Sequence, residues 1–157
     1  ADDTDNKNTQ FRQTGLQSNE ARFGGLTQFK AYGEMLDPDL SNIKIVTAGI
    51  GFRMASNAFL DLVYHRYGLD HFANEFRSAG VTAEMNKVET QLSKDVGSEI
   101  NLIVGFRNLF GFRRFGFEVR AGVFSPGDAF LRNDGDAVNP IIVRADKASS
   151  ILFVLIL

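Results

Sequence analysis

The chain has 157 residues, of which 17 are basic and 19 acidic, so its formal net charge is -2. This near balance argues against nucleic acid as a main partner, because phosphate binding favours a basic excess. The sequence contains no cysteine, which excludes disulfides and thiolate chemistry. The two histidines, His65 and His71, are too few for a convincing metal cluster. We therefore expect neither a metal nor another cofactor.

Phenylalanine and glycine each occur 15 times, whereas proline occurs three times and tryptophan not at all. Mean hydropathy is close to zero, at -0.10. Such a profile fits a β-barrel whose strands are apolar on one face only. A soluble all-β domain has a similar profile, so composition does not decide between them. The sequence has no stretch of about 18 consecutive apolar residues, and no transmembrane helix is predicted.

Residues 1–25 are polar and rich in turn formers, and we interpret them as a loop segment that precedes the barrel strands. Acidic clusters at residues 2–5 and 134–136 lack the full ligand spacing of a calcium loop, so solvated charge is the better interpretation. Residues 26–157 are predicted to form the barrel strands.

Period-two alternation of apolar and polar residues, the signature of half-buried strands, recurs along the chain. It predicts strands over residues 27–36, 43–53, 59–69, 99–107 and 115–124. A sixth strand is predicted over residues 149–157. It is apolar on both faces, so alternation does not show which residues lie on which face. In the clearest case, Ile100, Leu102, Val104 and Phe106 alternate with more polar neighbours, beginning at Glu99.

The connections between these strands differ in length in a regular way. Two connections are short, at residues 54–58 and 108–113, and one is intermediate, at residues 37–42. Two are long loops, at residues 70–97 and 125–146. If the short turns lie on one side of a membrane, all longer connections lie on the other, as in outer-membrane barrels. The sequence thus predicts an all-β fold, an antiparallel up-and-down transmembrane β-barrel. About six strands are visible, which indicates part of a larger barrel, because single-chain barrels have at least about eight strands.

Aromatic residues provide a second geometric indication. The outward-facing rings nearest the short turns are predicted to lie close to one level: Phe29, Phe52, Phe106, Phe115 and Phe117. An aromatic girdle at a membrane interface has this arrangement. The alternative is ordinary core phenylalanine of a β-sandwich, which does not require the rings to share a level.

Several segments together resemble a known family. They include Phe-Arg-Gln-Thr-Gly at residues 11–15, Arg-Phe-Gly-Gly at 22–25, Tyr-Gly-Glu at 32–34, and the stretches 60–67, 95–102 and 124–130. This ordered series resembles the bacterial alginate-export family. The resemblance implies a large barrel in the outer membrane of a Gram-negative cell, in contact with lipid. It also implies a positively charged pore for export of an anionic polysaccharide, with periplasmic export machinery as a further partner. Some relatives resemble general porins, so passage of small anionic solutes is an open alternative.

The sequence departs from this family in its short length and in ending at Leu157 instead of a terminal aromatic residue. We expect from this that the chain is truncated or that its last strand is incomplete.

Basic residues predicted to point into the pore are candidates for substrate contact: Lys30, Arg53, Arg107 and Arg120. An arginine fork can hold a carboxylate of a uronate polymer with two hydrogen bonds. The competing interpretation is pairing within the wall, with Arg53 diagonal to Asp61, and Arg120 opposite Asn101 and diagonal to Glu99.

Lys30 and Arg107 lack an acidic neighbour at their level and are the better candidates for substrate contact. Arg12 and Arg22 belong to the segment that precedes the first strand. They either enter the pore on a loop or are solvated.

The sequence shows no nucleophile elbow and no phosphate-binding glycine loop, and we do not expect an enzyme. No apolar pocket accompanies the carboxylates of Glu99 and Glu118. A small closed β-barrel that binds an internal ligand or has a structural role remains the second hypothesis. Such a module would refold alone in buffer, whereas part of a channel requires detergent and the rest of its barrel.

Overall fold

The computed structural model describes residues 20–21, 29–30, 32–78, 81–88, 91–108, 115–134 and 141–156. Within these residues, regular structure is almost entirely antiparallel β. The strands in chain order are β1 Glu20–Ala21, β2 Phe29–Lys30, β3 Ile43–Ala55, β4 Ala58–Leu69, β5 Glu75–Ser78, β6 Val81–Glu84, β7 Asp95–Arg107, β8 Gly116–Pro126, β9 Leu131–Asn133, β10 Ile142–Arg144 and β11 Ala148–Ile156. No helix in this part of the chain is long and apolar enough to cross a membrane.

Five long strands form one sheet in the order β3-β4-β7-β8-β11, each antiparallel to its neighbours. They contain 13, 12, 13, 11 and 9 residues. A tilted strand needs about 9–11 residues to cross a bilayer, so each is long enough. The described part of the sheet is open, with β3 and β11 at its edges. It is an up-and-down meander, and the predicted antiparallel fold is confirmed.

One face of this sheet, which we call the outer face, is apolar and exposed. Its central row runs across all five strands through Ile50, Leu62, Leu102, Ala121 and Ile151. Leu62 is 42 % exposed and Ile151 66 % exposed. The predicted alternation is confirmed in β3, β4, β7 and β8, because the residues assigned to the apolar face all lie on this side. A continuous apolar surface of this kind is suited to contact with lipid.

The opposite face, which we call the inner face, carries the polar side chains and is covered on the three central strands. Buried polar residues on it are Asp61, His65, Glu99, Asn101 and Glu118. Small apolar groups lie between them, and Phe59, Val63 and Ile103 form one buried cluster. On the edge strand β3, by contrast, the inner-face residues from Thr47 to Arg53 are exposed.

The two ends of the sheet differ in their connections. At one end, the turn end, residues 56–57 join β3 to β4, and residues 108–115 join β7 to β8. At the other end, the loop end, long connections carry the β5–β6 and β9–β10 hairpins. A buried cluster that includes Leu36, Tyr67, Phe76, Met85 and Phe124 packs these connections against the inner face. The described parts of the predicted loops therefore contribute to the core.

The strand predicted over residues 27–36 is wrong from Tyr32 onward. Among the described residues, Phe29 and Lys30 pair with Ala21 and Glu20, and residues 32–37 form turns instead of a wall strand. The reason lies in the backbone, because Gly33 has φ +113° and Asp37 has φ +37°. Left-handed conformations at two positions interrupt an extended chain. Apolar alternation alone did not reveal this interruption.

Aromatic rings do lie near the turn end of the outer face. Phe106 and Phe117 are register partners, and Phe117 stacks on Phe153 with ring centroids 6.1 Å apart. Phe52 lies one step further toward the loop end, at the level of Leu60. The predicted clustering at one end is confirmed for these rings. Phe115 is half-buried just before β8, and the side chain of Phe29 lies outside the described part of the chain.

Candidate functional site

The inner face is the candidate functional site because it places most of the polar side chains of the sheet on one surface. Glu99 is fully buried on this face, at 0 % exposure. Its carboxylate accepts backbone N–H groups from Met35 at 2.8 Å and Leu36 at 2.9 Å. The Tyr67 hydroxyl lies 3.2 Å from the same carboxylate and 2.7 Å from the Tyr32 carbonyl oxygen. Residues 32–38, which we call the lumen segment, therefore lie against the inner face.

Arg120 is the centre of a second cluster. Its Nε lies 2.5 Å from Glu118, and its Nη1 lies 3.0 Å from Glu34 of the lumen segment. All three side chains are buried or nearly so, with exposures of 14 %, 0 % and 8 %. Two carboxylates thus offset the one positive charge of Arg120, which makes Arg120 a structural element of the wall.

The predicted neighbours of Arg120 are wrong by two residues. Ile103, not Asn101, lies opposite Arg120, and Asn101 lies opposite Gly122. The error arose from the connection between β7 and β8. The structure ends β7 at Arg107 and pairs that residue with Gly116, so the turn is longer than the predicted residues 108–113.

Arg53 has the opposite environment. It lies on edge strand β3 opposite Phe59, and therefore diagonal to Asp61 as predicted. Its side chain is exposed. Within the described part of the chain, no ion pair of Arg53 is found. Of the three predicted cations whose side chains the structure describes, Arg53, Arg107 and Arg120, Arg53 is the most exposed.

The other predicted basic residues are only partly placed. Arg107 is half-buried at the turn end, and its backbone N–H donates to the Asn57 carbonyl oxygen at 2.7 Å. Lys30 pairs in register with Glu20, but its side chain lies outside the described atoms. Arg12 and Arg22 also lie outside the described residues. The structure thus brings Arg53 and Arg107 to the same end of the inner face.

His65 is also part of the inner face. Its Nδ1 is 2.9 Å from the Thr47 hydroxyl, and its ring stacks on Tyr67 with centroids 5.9 Å apart. In the described ranges, no group of three or more acidic, histidine or cysteine residues is arranged to hold a metal ion. His65 therefore acts as a packed wall residue that links β3 to β4.

Charged residues at the loop end form exposed ion pairs. Arg66 lies 2.9 Å from Asp95, and Lys44 pairs with Asp70. The hydrogen bond and positive charge of Lys44 hold the pKa of Asp70 below its ordinary value. Exposed pairs of this kind contribute little to stability.

The sequence prediction assigned residues 27–36 to a wall strand, so it missed the turns of the lumen segment and the contact of Glu34 with Arg120. Two signals were available in the sequence. A glycine at 33 and a proline at 38 within eight residues indicate turns more strongly than alternation indicates a strand. The contact of Glu34 with Arg120 spans 86 positions, and no local pattern encodes such a separation.

An antiparallel meander with an exposed apolar outer face, a polar inner face and unequal connections defines the wall of an outer-membrane β-barrel. The comparison with known families is more specific. Residues 2–144 match the alginate export family model. The chain belongs to this alginate export family, and it is an outer-membrane protein.

Two curated relatives were found. The alginate production protein AlgE of Pseudomonas aeruginosa is 28 % identical over 133 residues, which cover 77 % of this chain and 26 % of that protein. The alginate production protein AlgE of Azotobacter vinelandii is 25 % identical over 158 residues, which cover 91 % of this chain and 33 % of that protein. The chain therefore spans between a quarter and a third of the curated relatives it matches.

Proposed function

We propose that the chain forms part of the wall of an outer-membrane channel for an anionic polysaccharide of the alginate type, or for small anionic solutes. The observation that carries this proposal is the two-faced sheet, which has an exposed apolar face suited to lipid and a polar face suited to border a lumen. The relatives are named for alginate production, which supports a polyuronate as the substrate. Periplasmic export machinery is the partner we propose for such a channel.

Within this channel, we assign substrate contact first to Arg53 and then to Arg107. Both lie at the turn end of the inner face, and Arg53 is exposed. Their guanidinium groups stay charged and can hold a carboxylate with two hydrogen bonds. Lys30, Arg12 and Arg22 are further candidates from the sequence. Arg120 is less suited, because Glu34 and Glu118 already accept its hydrogen bonds.

The test uses the full-length channel in planar lipid bilayers. In a salt gradient, the reversal potential should show anion selectivity, and added oligouronates should reduce the single-channel current. The double variant Arg53→Gln/Arg107→Gln should lower both the selectivity and the block. Arg77→Gln, which removes an exposed arginine from hairpin strand β5, is the matched control and should change neither.

Two results would contradict the proposal. A channel that conducts no ions, or that prefers cations and is insensitive to oligouronates, is inconsistent with anion passage. If the channel is anion-selective but the double variant behaves like Arg77→Gln, the cargo assignment stands and the two arginines are not its contacts.

A further inference from the structure

We propose that the lumen segment, residues 32–38, is a fixed constriction of the channel and that Glu99 is the residue that positions it. This inference rests on the proposed function, because a constriction has meaning only in a channel. It is carried by the contacts that residues 32–38 make with the wall and with the loop-end hairpin.

The first step is the location of the segment. Because the outer face is exposed and apolar, lipid must lie on that side, and the inner face must border the lumen. The segment covers this inner face. Met35 packs over Gly122 of β8, while Leu36 joins the buried cluster with Tyr67 of β4 and Val96 of β7. Because the segment forms a second layer on the inner face, it narrows the lumen beside these strands.

The second step is the chemistry of Glu99. A buried carboxylate is costly unless hydrogen bonds satisfy it. Two of the groups that satisfy Glu99 are backbone N–H groups of the segment, from Met35 and Leu36. If the segment left the wall, Glu99 would lose both donors. The carboxylate therefore favours the attached position of the segment over a detached one.

The third step is the close approach that glycine permits. Gly33 has φ +113°, and a Cβ built on it would lie 2.6 Å from Glu99 Oε2. Any larger residue would push the segment away from the carboxylate and strain its backbone. The absence of a side chain at 33 thus lets the segment lie directly on Glu99 and Tyr67.

The fourth step is attachment at further points. Glu34 binds Arg120 of β8 at 3.0 Å. On the other side, the Ser78 hydroxyl donates to the Leu36 carbonyl oxygen, and the Asp39 N–H donates to the Arg77 carbonyl oxygen at 3.1 Å. The segment is consequently held between the wall and the β5–β6 hairpin. Contacts on both sides characterise a fixed element, in contrast to a flap attached at one end.

The experiment compares the single-channel conductance of the full-length channel with that of its Glu99→Gln variant. In Glu99→Gln, an amide nitrogen replaces one acceptor oxygen and meets a donor from the segment or from Tyr67. We expect a higher conductance with fluctuation between levels, as the segment detaches from the wall. Glu75→Gln, at an exposed acid of the β5–β6 hairpin, is the matched control and should keep the conductance of the unmodified channel.

A disulfide provides the second measurement, since the chain has no cysteine of its own. A Cβ at 122 would lie 2.8 Å from Met35 Cγ, so the pair Met35→Cys/Gly122→Cys is within bonding reach. Oxidation should link the segment to β8. In the Glu99→Gln background, oxidation should remove the conductance increase and the fluctuation, and reduction should restore them.

The outcomes separate this inference from the proposed function. If Glu99→Gln conducts like the unmodified channel, the positioning role of Glu99 is wrong. If Glu99→Gln does not fold, the test is the Met35→Cys/Gly122→Cys protein that retains Glu99. Failure of this protein to form the disulfide would show that the segment is not at the wall. A channel without anion selectivity would overturn the proposed function, whatever the cysteine pair shows.

Discussion

The three central strands and the two edge strands of the sheet use the same inner face in different ways. One register row shows the contrast, since it runs from Gly49 on β3 through Val63, Asn101 and Gly122 to Ser150 on β11. Val63 and Asn101 are fully buried, at 0 % and 1 % exposure, whereas Gly49 and Ser150 are exposed. Position in the sheet, more than residue type, decides which inner-face residues are buried.

This contrast separates charged residues that are buried in the wall from charged residues that are exposed on the inner face. In the centre, Glu99 and Arg120 bind groups of the lumen segment. At the edge, Arg53 is exposed on the same face. In the proposed channel, burial therefore distinguishes charged residues that stabilise the wall from charged residues that attract a solute.

The largest expected effect comes from placing a charge at the buried centre of that row. Val63→Asp would bury a carboxylate between Phe59 and Ile103, at a cost of about 5 kcal/mol or more. Ser150→Asp adds the same charge at the exposed edge and should leave stability almost unchanged. Urea unfolding of the full-length protein in detergent measures both. If both variants lose the same free energy of unfolding, the centre and the edge of the sheet do not differ in the way proposed.

The next largest effect is expected from a comparison of Arg120 with Arg53. Arg120→Gln leaves Glu118 and Glu34 buried without their cation, which should cost about 3–5 kcal/mol. Arg53→Gln should alter the free energy of unfolding by less than about 0.5 kcal/mol. The same unfolding measurement compares the two variants. A stable Arg120→Gln protein would show that the cluster does not hold the wall.

A smaller effect concerns the outer face and its depth in the bilayer. Leu62 lies in the wholly apolar row, and Leu62→Arg should cost about 2–4 kcal/mol in lipid vesicles. Val46 lies nearer the loop end, level with Arg66, Ser98 and Ser125, and Val46→Arg should cost about 0–1 kcal/mol. If both arginines cost the same, the apolar rows do not mark the bilayer centre.

Much of the wall could be predicted from the sequence because strand faces follow a local rule. Successive residues point to opposite faces, so alternation identified the apolar side of β3, β4, β7 and β8 correctly. The connections were predicted less well. The 70–97 loop contains a hairpin whose Phe76 is buried. The apolar residues of this loop are too sparse to form an alternating pattern, so the sequence did not predict the hairpin.

The candidate site was harder to predict because its contacts are long-range. Met35 and Glu99 are 64 positions apart, and Glu34 and Arg120 are 86 apart. Alternation reports which side of a strand a residue occupies, but it does not report what covers that side. Register is similarly uncertain, since the unexpected length of one turn displaced the predicted neighbours of Arg120 by two residues.

The edge of β3 has a consequence for biogenesis. In the described sheet, this 13-residue strand pairs with β4 on one side only, so every second backbone group faces away from the sheet. Water can satisfy these groups in the periplasm, but hydrocarbon cannot, and each unsatisfied group costs several kcal/mol there. Another strand must therefore close the β3 edge before or during entry into the bilayer. An inserted sheet with an unpaired β3 is not a stable intermediate.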